Sequence, residues 1–242
     1  MDISGIKRRL DVLKRTPLHP QWLVFRRDNS QLEAICRQID TGVTIDLGSA
    51  DCLPKKYIAD KCSYYGLDYP LTADNWYFSK PDVYGDAQEL PFATGSVDNI
   101  LLLDVLEHLP NPEQCISEIY RALKTEGKLV LKVPFMYPIH DAPLDFHRWT
   151  IHGLSELAQK SGFRVIHTRE EGTPVESAAL LTNIALVKAT LNWLNEKSPL
   201  LLLAPGLAVL IPVINLCGAA FSYLGSREPF MAFSYTMTWQ KN

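Results

Sequence analysis

Short apolar runs alternate with helical patterns through the middle of the chain. Residues 43–48 (VTIDLG), 64–69 (YYGLDY), 97–103 (VDNILLL) and 127–134 (GKLVLKVP) read as strands, with a further short piece at 83–86. The run Ile100-Leu101-Leu102-Leu103 is apolar on both faces, which suits a parallel strand covered by helices on each side. Between the last two strands the pattern predicts a helix. Asn111 stands at its cap, Pro112 fits the first turn and Gly127 follows its end. A helix capped by Thr150 stops at Ser161-Gly162 and yields to a strand, FRVIHT, and residues 231–242 read as a last strand. Strands alternating with helices imply a doubly wound α/β sheet.

The flanks differ. Ile3, Ile6, Leu10 and Leu13 recur at helical spacing among basic residues, and Ser30-Gln31-Leu32-Glu33 reads as a capping box opening a helix with Leu32, Ile35, Cys36 and Ile39 on its apolar face. From Ser198 to Ser226 there is no charged residue, and Ala178–Leu194 carries only Lys188. That length qualifies as a membrane-span candidate, although Pro205, Gly206 and Pro212 are expected to break or kink a simple helix. If 163–168 and 232–241 are neighbouring strands, the chain leaves and returns on one side. A single span is then excluded, leaving a helical hairpin, a re-entrant dip or an interfacial helix pair; a lid or a dimer surface is the bland alternative. The expected organisation is a basic helical segment at 1–40, a catalytic-type domain at 41–170 plus 230–242, and an apolar helical insertion at 171–229.

Charge and cysteine usage narrow the classes. The net charge of −3 provides no global basic field for nucleic acid. The first 27 residues are locally basic (Lys7, Arg8, Arg9, Lys14, Arg15, Arg26 and Arg27 against Asp2 and Asp11), which would add attraction to anionic lipid. Five cysteines without a CxxC pair argue against a disulfide framework or a zinc site, so no metal set is expected and a cytoplasmic setting fits. The polar N-terminus lacks the apolar core of a signal peptide.

In an open α/β sheet ligands bind beyond the carboxyl ends of the strands. The first strand ends Ile45-Asp46-Leu47-Gly48-Ser49-Ala50, where Gly48 permits a tight turn and Asp46 can accept from a ligand ammonium or order the loop. Asp68-Tyr69, 20 residues after Gly48, can meet ribose hydroxyls, and Asp86-Ala87 can meet an adenine amino group. The GxGxxG pattern of dinucleotide sites is absent. In order and spacing, IDLGSA, GLDYP, GDAQELPF, SVDNILLLDVLEHLPNP, EIYRALKTEGKLVLKVPF and the Gly162-Phe163 strand resemble class I methyltransferases of the type 11 group, over about residues 41–170 and the last ten residues. The resemblance implies a Rossmann-like, seven-stranded, mostly parallel sheet with the apolar helical insertion before its last strand. It also implies S-adenosyl-L-methionine as cofactor. Asp46, Gly48 and Ser49 would line the methionine end, Asp68 and Tyr69 the ribose, and Asp86 and Ala87 the adenine. Asp104, Glu107 and His108 would close the pocket.

Methyl transfer to a hydroxyl requires an aligned nucleophile and a base for its proton. The loop MYPIHDAPLDFHRW holds His140, Asp141, Asp145, His147 and Arg148, with prolines to stiffen it and aromatics to stack on an acceptor. This segment resembles a subgroup of bacterial methyltransferases associated with cell-envelope polysaccharide or glycolipid assembly. The expected catalytic set is His140 as base, oriented by Asp141 or Asp145, with His147 as a further candidate. Asp145 and Arg148 can alternatively form a local ion pair, and His147 can cap the next helix. The leading reading is O-methylation of a glycan, glycolipid or lipid-linked acceptor at the inner face of the cytoplasmic membrane. The alternatives are a small-molecule (quinone or phenol) methyltransferase and, since only Gly48 stands where the family carries two or three glycines, a cofactor-binding or membrane-docking module without catalysis. A homodimer is compatible with either.

Overall fold

The structure is a computed structural model that describes residues 12–74, 79–224 and 229–242. The expected helix through Ile3, Ile6 and Leu10, the basic residues Lys7 to Arg9, and the last residues of the apolar run, Gly225 and Ser226, lie outside the described residues.

Helix α1 (Asp28–Cys36) precedes strand β1 (Gly42–Leu47), and then come β2 (Cys62–Asp68), β3 (Val83–Tyr84) and β4 (Val97–Leu103). Helix α2 (Pro112–Ala122) leads into β5 (Leu123–Pro134), and α3 (Ile151–Lys160) into β6 (Phe163–Glu171). Helices α4 (Pro174–Asn195) and α5 (Ala204–Phe221) form the insertion before β7 (Ser234–Lys241). The seven strands lie in one sheet in the order β3-β2-β1-β4-β5-β7-β6. Strand β1 is parallel to both β2 and β4, and β7 alone is shown running antiparallel, against β5. Strand order reverses between β1 and β4, so the carboxyl ends of these two strands flank the switch point where such sheets take ligands.

The core explains the apolar runs. Ile100, Leu101, Leu102, Leu129, Val130 and Leu131 are all fully buried, as expected of strands covered on both faces. One face packs against Ile35, Cys36, Ile39 and Ile58. Each such aliphatic side chain contributes about 1.5–3 kcal/mol by leaving water.

Several boundaries differ from the sequence reading. Helix α1 begins at Asp28, and the Ser30 hydroxyl donates back to the Arg27 carbonyl at 2.8 Å. Ser30 is therefore inside the first turn and not a cap. Asn111 occupies the cap position of α2 but makes no side-chain cap bond. Strand β5 starts at Leu123, directly after α2, because Val97 pairs with Leu123 before a register shift; Gly127 is thus within the strand. Thr150 caps α3 as expected, accepting from the Gly153 amide at 3.0 Å.

The chain divides into two compact units. One is the sheet unit, residues 31–135, 139–170 and 234–242; the other comprises residues up to Ser30, 136–138 and 171–233. In the second unit α4 opens with a full capping box. The Glu176 amide donates to Thr173 Oγ1 at 3.3 Å and the Thr173 amide to Glu176 Oε2 at 3.0 Å. The buried Glu176 carboxylate also receives Arg26 and, at 2.9 Å, Arg27 Nη2. Helices α4 and α5 meet through buried amides. Asn183 Nδ2 donates to Asn215 Oδ1 at 3.0 Å, while Asn215 Nδ2 donates to the Pro17 and His19 carbonyls at 2.7 and 2.9 Å. Gly218 allows their approach, since a Cβ there would stand 2.8 Å from Ala179 Cβ.

Helix α5 is not broken by its prolines. Pro205 lies in the first turn, where a missing N–H is tolerated, and the helix runs through Pro212 to Phe221. Residues Pro199–Phe221 are long and apolar enough to cross a membrane, with mean hydropathy 2.4 and 11% of the window buried.

Candidate active site

The carboxyl ends of β1 and β2 bring three of the expected acidic and glycine positions together. Asp46 pairs in register with Gly66, and Leu47 with Leu67. Asp46 is buried and accepts from the Tyr64 hydroxyl at 2.5 Å. Burial pushes its carboxyl up to about 7, against the lowering hydrogen bond from Tyr64 and with help from the nearby Asp68 charge. Gly48 turns the chain with φ of +72°, and its amide donates to the Leu67 carbonyl at 2.8 Å. A Cβ there would lie 2.4 Å from Val105 Cγ2, so the residues after β4 stand against the loop after β1. Asp68 is buried and ties the loop: its Oδ2 accepts from the Ala50 amide at 3.0 Å and its Oδ1 from the Tyr69 amide at 2.8 Å. Ser49 Oγ is buried without a hydrogen-bond partner among the described residues and stands against β2, where a Cβ at Gly66 would lie 2.6 Å from it.

Asp86 follows closely, because the Gly85 amide donates to the Asp68 carbonyl at 3.0 Å. Its carboxylate accepts from the Gln88 amide at 2.8 Å and so shapes a turn, with Ala87 buried beside it. Tyr69 is half exposed. Asp104 takes a left-handed conformation, φ +54°, and its carboxylate receives Lys132 Nζ at 2.7 Å. The small-residue loop, the orphaned hydroxyl and the carboxylates at the tips of β1 and β2 fit a nucleoside with an amino-acid tail.

On the other side of Val105, Glu107 is completely buried, and neither carboxylate oxygen has a hydrogen-bond partner. Burial, and then the Asp104 charge, push its carboxyl well above the usual carboxylate range. Two imidazoles face it: His108 Nε2 at 3.7 Å and His140 Nε2 at 3.8 Å from Oε1. The two rings meet edge to face, with centroids 5.0 Å apart. The Phe146 and His147 amides both donate to the Glu107 carbonyl, at 2.9 and 3.2 Å, which draws the 135–149 loop onto this segment.

The loop side chains separate into roles. His140 Nδ1 lies 3.2 Å from Asp145 Oδ2, and the His140 amide donates to the same oxygen at 2.8 Å. Arg148 grips both Asp145 oxygens, at 2.6 and 2.7 Å, and holds that carboxyl down at about 2. Asp145 therefore stays an anion beside the His140 ring, while also forming the local ion pair with Arg148 that the sequence offered. Asp141 instead turns the backbone, with φ +48°. His147 stacks its ring 5.7 Å from Trp149, and its buried Nε2 has no hydrogen-bond partner in the structure. The sequence named Glu107 only as a pocket residue; its isolation was not legible, because it depends on burial by the distant loop.

Residues 45–131 match a family model described as a methyltransferase domain. A Mycolicibacterium smegmatis protein described as a probable S-adenosylmethionine-dependent methyltransferase is 34% identical over 155 residues, which cover 60% of this chain and 60% of that protein. The 2-methyl-6-phytyl-1,4-hydroquinone methyltransferase of Arabidopsis thaliana is 43% identical over 56 residues, 23% of this chain and 16% of the plant protein. The chain thus spans 60% of the length of the first of these relatives and 16% of the second. Among solved structures, Haemonchus contortus phosphoethanolamine N-methyltransferase 2 in complex with S-adenosyl-L-methionine superposes with a TM-score of 0.54 at 16% identity, covering 96% of this chain and 59% of that one. The segment bearing the acidic strand tips therefore matches a methyltransferase domain, set in the Rossmann-like sheet seen in that cofactor-bound enzyme.

Proposed function

We propose that this chain is an S-adenosyl-L-methionine-dependent methyltransferase that O-methylates a glycan, glycolipid or lipid-linked acceptor. The observation that carries the reading is the convergence of Asp46, Gly48, Ser49 and Asp68 at the switch point of a sheet whose 45–131 segment matches a methyltransferase domain. Bound there, the cofactor supplies a methyl group already activated on a sulfonium. The chain's own residues do the rest. Asp68 offers a carboxylate to ribose hydroxyls, Ser49 Oγ finds a partner, and Asp86-Ala87 frame the base. On the acceptor side, Asp145 fixes the His140 ring so that Nε2 joins Glu107 and His108 in the polar patch that receives the hydroxyl. Phe135, Phe146 and Trp149 of the same stretch suit an apolar or sugar-like acceptor.

The exposed apolar face of α5 supports placement at a membrane, at the cytoplasmic face, where a lipid-linked acceptor would be met. A second reading, a quinol or phenol acceptor, is supported by the substrate named for the plant relative.

Calorimetric titration with S-adenosyl-L-methionine tests the cofactor site: micromolar binding is expected, lost in Asp68→Ala. Incubation with methyl-labelled cofactor and a membrane-lipid extract tests the acceptor. Label in lipid-linked glycan supports the first reading, and label in a quinol fraction replaces it with the second. Absence of cofactor binding would reduce the chain to a docking module.

A further inference from the structure

We propose that Glu107, His108 and His140 form a binding site for a single divalent transition-metal ion, of the zinc or manganese class. The three donor atoms lie within 4.8 Å of one another. What points to a cation is the set of ligand atoms that meet, around a carboxyl group that is buried with no hydrogen-bond partner among the described residues. His108 Nδ1 is 2.7 Å from the Leu144 carbonyl, an acceptor only, so Nδ1 carries the proton and Nε2 presents a lone pair. His140 Nδ1 lies between Asp145 Oδ2 at 3.2 Å and Arg148 Nη2 at 3.3 Å, and the ring turns its Nε2 toward Glu107. Both Nε2 atoms face Glu107 Oε1, whose side chain is fully buried and whose oxygens have no hydrogen-bond partner among the described residues. Two ring nitrogens and a buried carboxylate thus converge on one point, a donor set that a cation satisfies.

The outer contacts are those of a metal site. Metal-ligating histidines donate their second ring N–H to a carboxylate or a backbone carbonyl, which fixes ring and tautomer. His108 donates to the Leu144 carbonyl, and His140 Nδ1 stands beside the Asp145 carboxylate. The Nε2–Oε1 separations of 3.7 and 3.8 Å exceed by only a few tenths of an ångström the ~3.3 Å that tetrahedral ligands at about 2.1 Å span. Two imidazoles and one carboxylate select zinc, manganese or iron over calcium or magnesium. Three protein ligands leave coordination positions open, and an ion there acidifies a hydroxyl that reaches it, the proton leaving to solvent. That role rests on the proposed O-methylation; the site itself rests on the geometry alone.

The test uses the full chain, stripped by chelator and titrated calorimetrically with zinc chloride and with manganese chloride. A single ion per chain is expected, with affinity at least about ten-fold weaker in Glu107→Gln, His108→Ala and His140→Ala. His140→Ala removes a partly exposed loop side chain, so its circular dichroism should match the parent's. Binding that survives all three substitutions, or that is abolished only by alkylating the cysteines, overturns the proposal, as does no binding at all. Cofactor titration of the stripped protein separates the two readings. Cofactor binding without metal binding sinks the metal site and spares the enzyme; metal binding without cofactor binding does the reverse.

Discussion

At the scale of single residues, the β1 loop and the carboxylates beside it carry the sharpest expectations. Gly48→Ala introduces a side chain at φ +72° and within 2.4 Å of Val105 Cγ2. The left-handed conformation alone costs about 1–2 kcal/mol, so the melting temperature should fall by about 2–8 °C for a chain of this size. Cofactor binding should weaken with it, and Val105→Ala in the same protein should restore part of both. Asp46 makes stability depend on pH. Its carboxyl titrates at about 7 when folded against an ordinary 3.8. A raised acid holds its proton more tightly in the folded state, so its stabilising contribution is complete below the unfolded value and is lost as pH rises through 7. Between pH 5 and 8 this amounts to on the order of 3 kcal/mol. Urea unfolding at the two pH values should show a decline in the parent that Asp46→Asn lacks; equal slopes would reject the assignment.

At the scale of elements, two caps of similar sequence appearance differ in weight. Thr150 gives α3 one exposed hydrogen bond, from the Gly153 amide. Thr150→Ala should cost about 1 kcal/mol in urea unfolding. Glu176 closes the capping box of α4 and, fully buried, also balances Arg26 and Arg27. Removing one partner of a buried ion pair leaves charge uncompensated, and Glu176→Gln should cost about 3 kcal/mol. A loss no larger than that of Thr150→Ala would mean that the arginines gain as much from water as from the carboxylate.

At the scale of the whole molecule, the question is what meets α5 and the turn before it. Leu202 is 86% exposed and Val209 66% exposed, on a stretch whose apolar character is otherwise that of a buried or lipid-facing helix. Asn183 and Asn215 are spent on each other and on the Pro17 and His19 carbonyls, so these two amides are turned inward. The expectation is co-sedimentation with vesicles containing anionic lipid, and its loss in Leu202→Glu/Val209→Glu with cofactor binding unchanged. A parent protein that stays wholly in the supernatant would count against membrane placement.

Much of the sheet and of the cofactor-side loop was legible along the chain. Apolar runs, caps and the spacing from Gly48 to Asp68 are set by near neighbours, and strand–turn–helix geometry turns that spacing into proximity at one edge of a parallel sheet. Other features needed the fold. Ser30 and Gly127 misled because helix start and strand start were set by contacts distant in sequence, such as the pairing of Val97 with Leu123. Pro212 sits within a continuous helix, against what local sterics favour. Asp145 rather than Asp141 orients His140, since Arg148 fixes one carboxylate while the other residue bends the backbone. Above all, Glu107, His108 and His140 come together across 33 positions of sequence only because backbone bonds draw the loop to the end of β4. Local order follows from the covalent sequence; the burial that isolates a carboxylate and turns two imidazoles toward it is a property of tertiary packing alone.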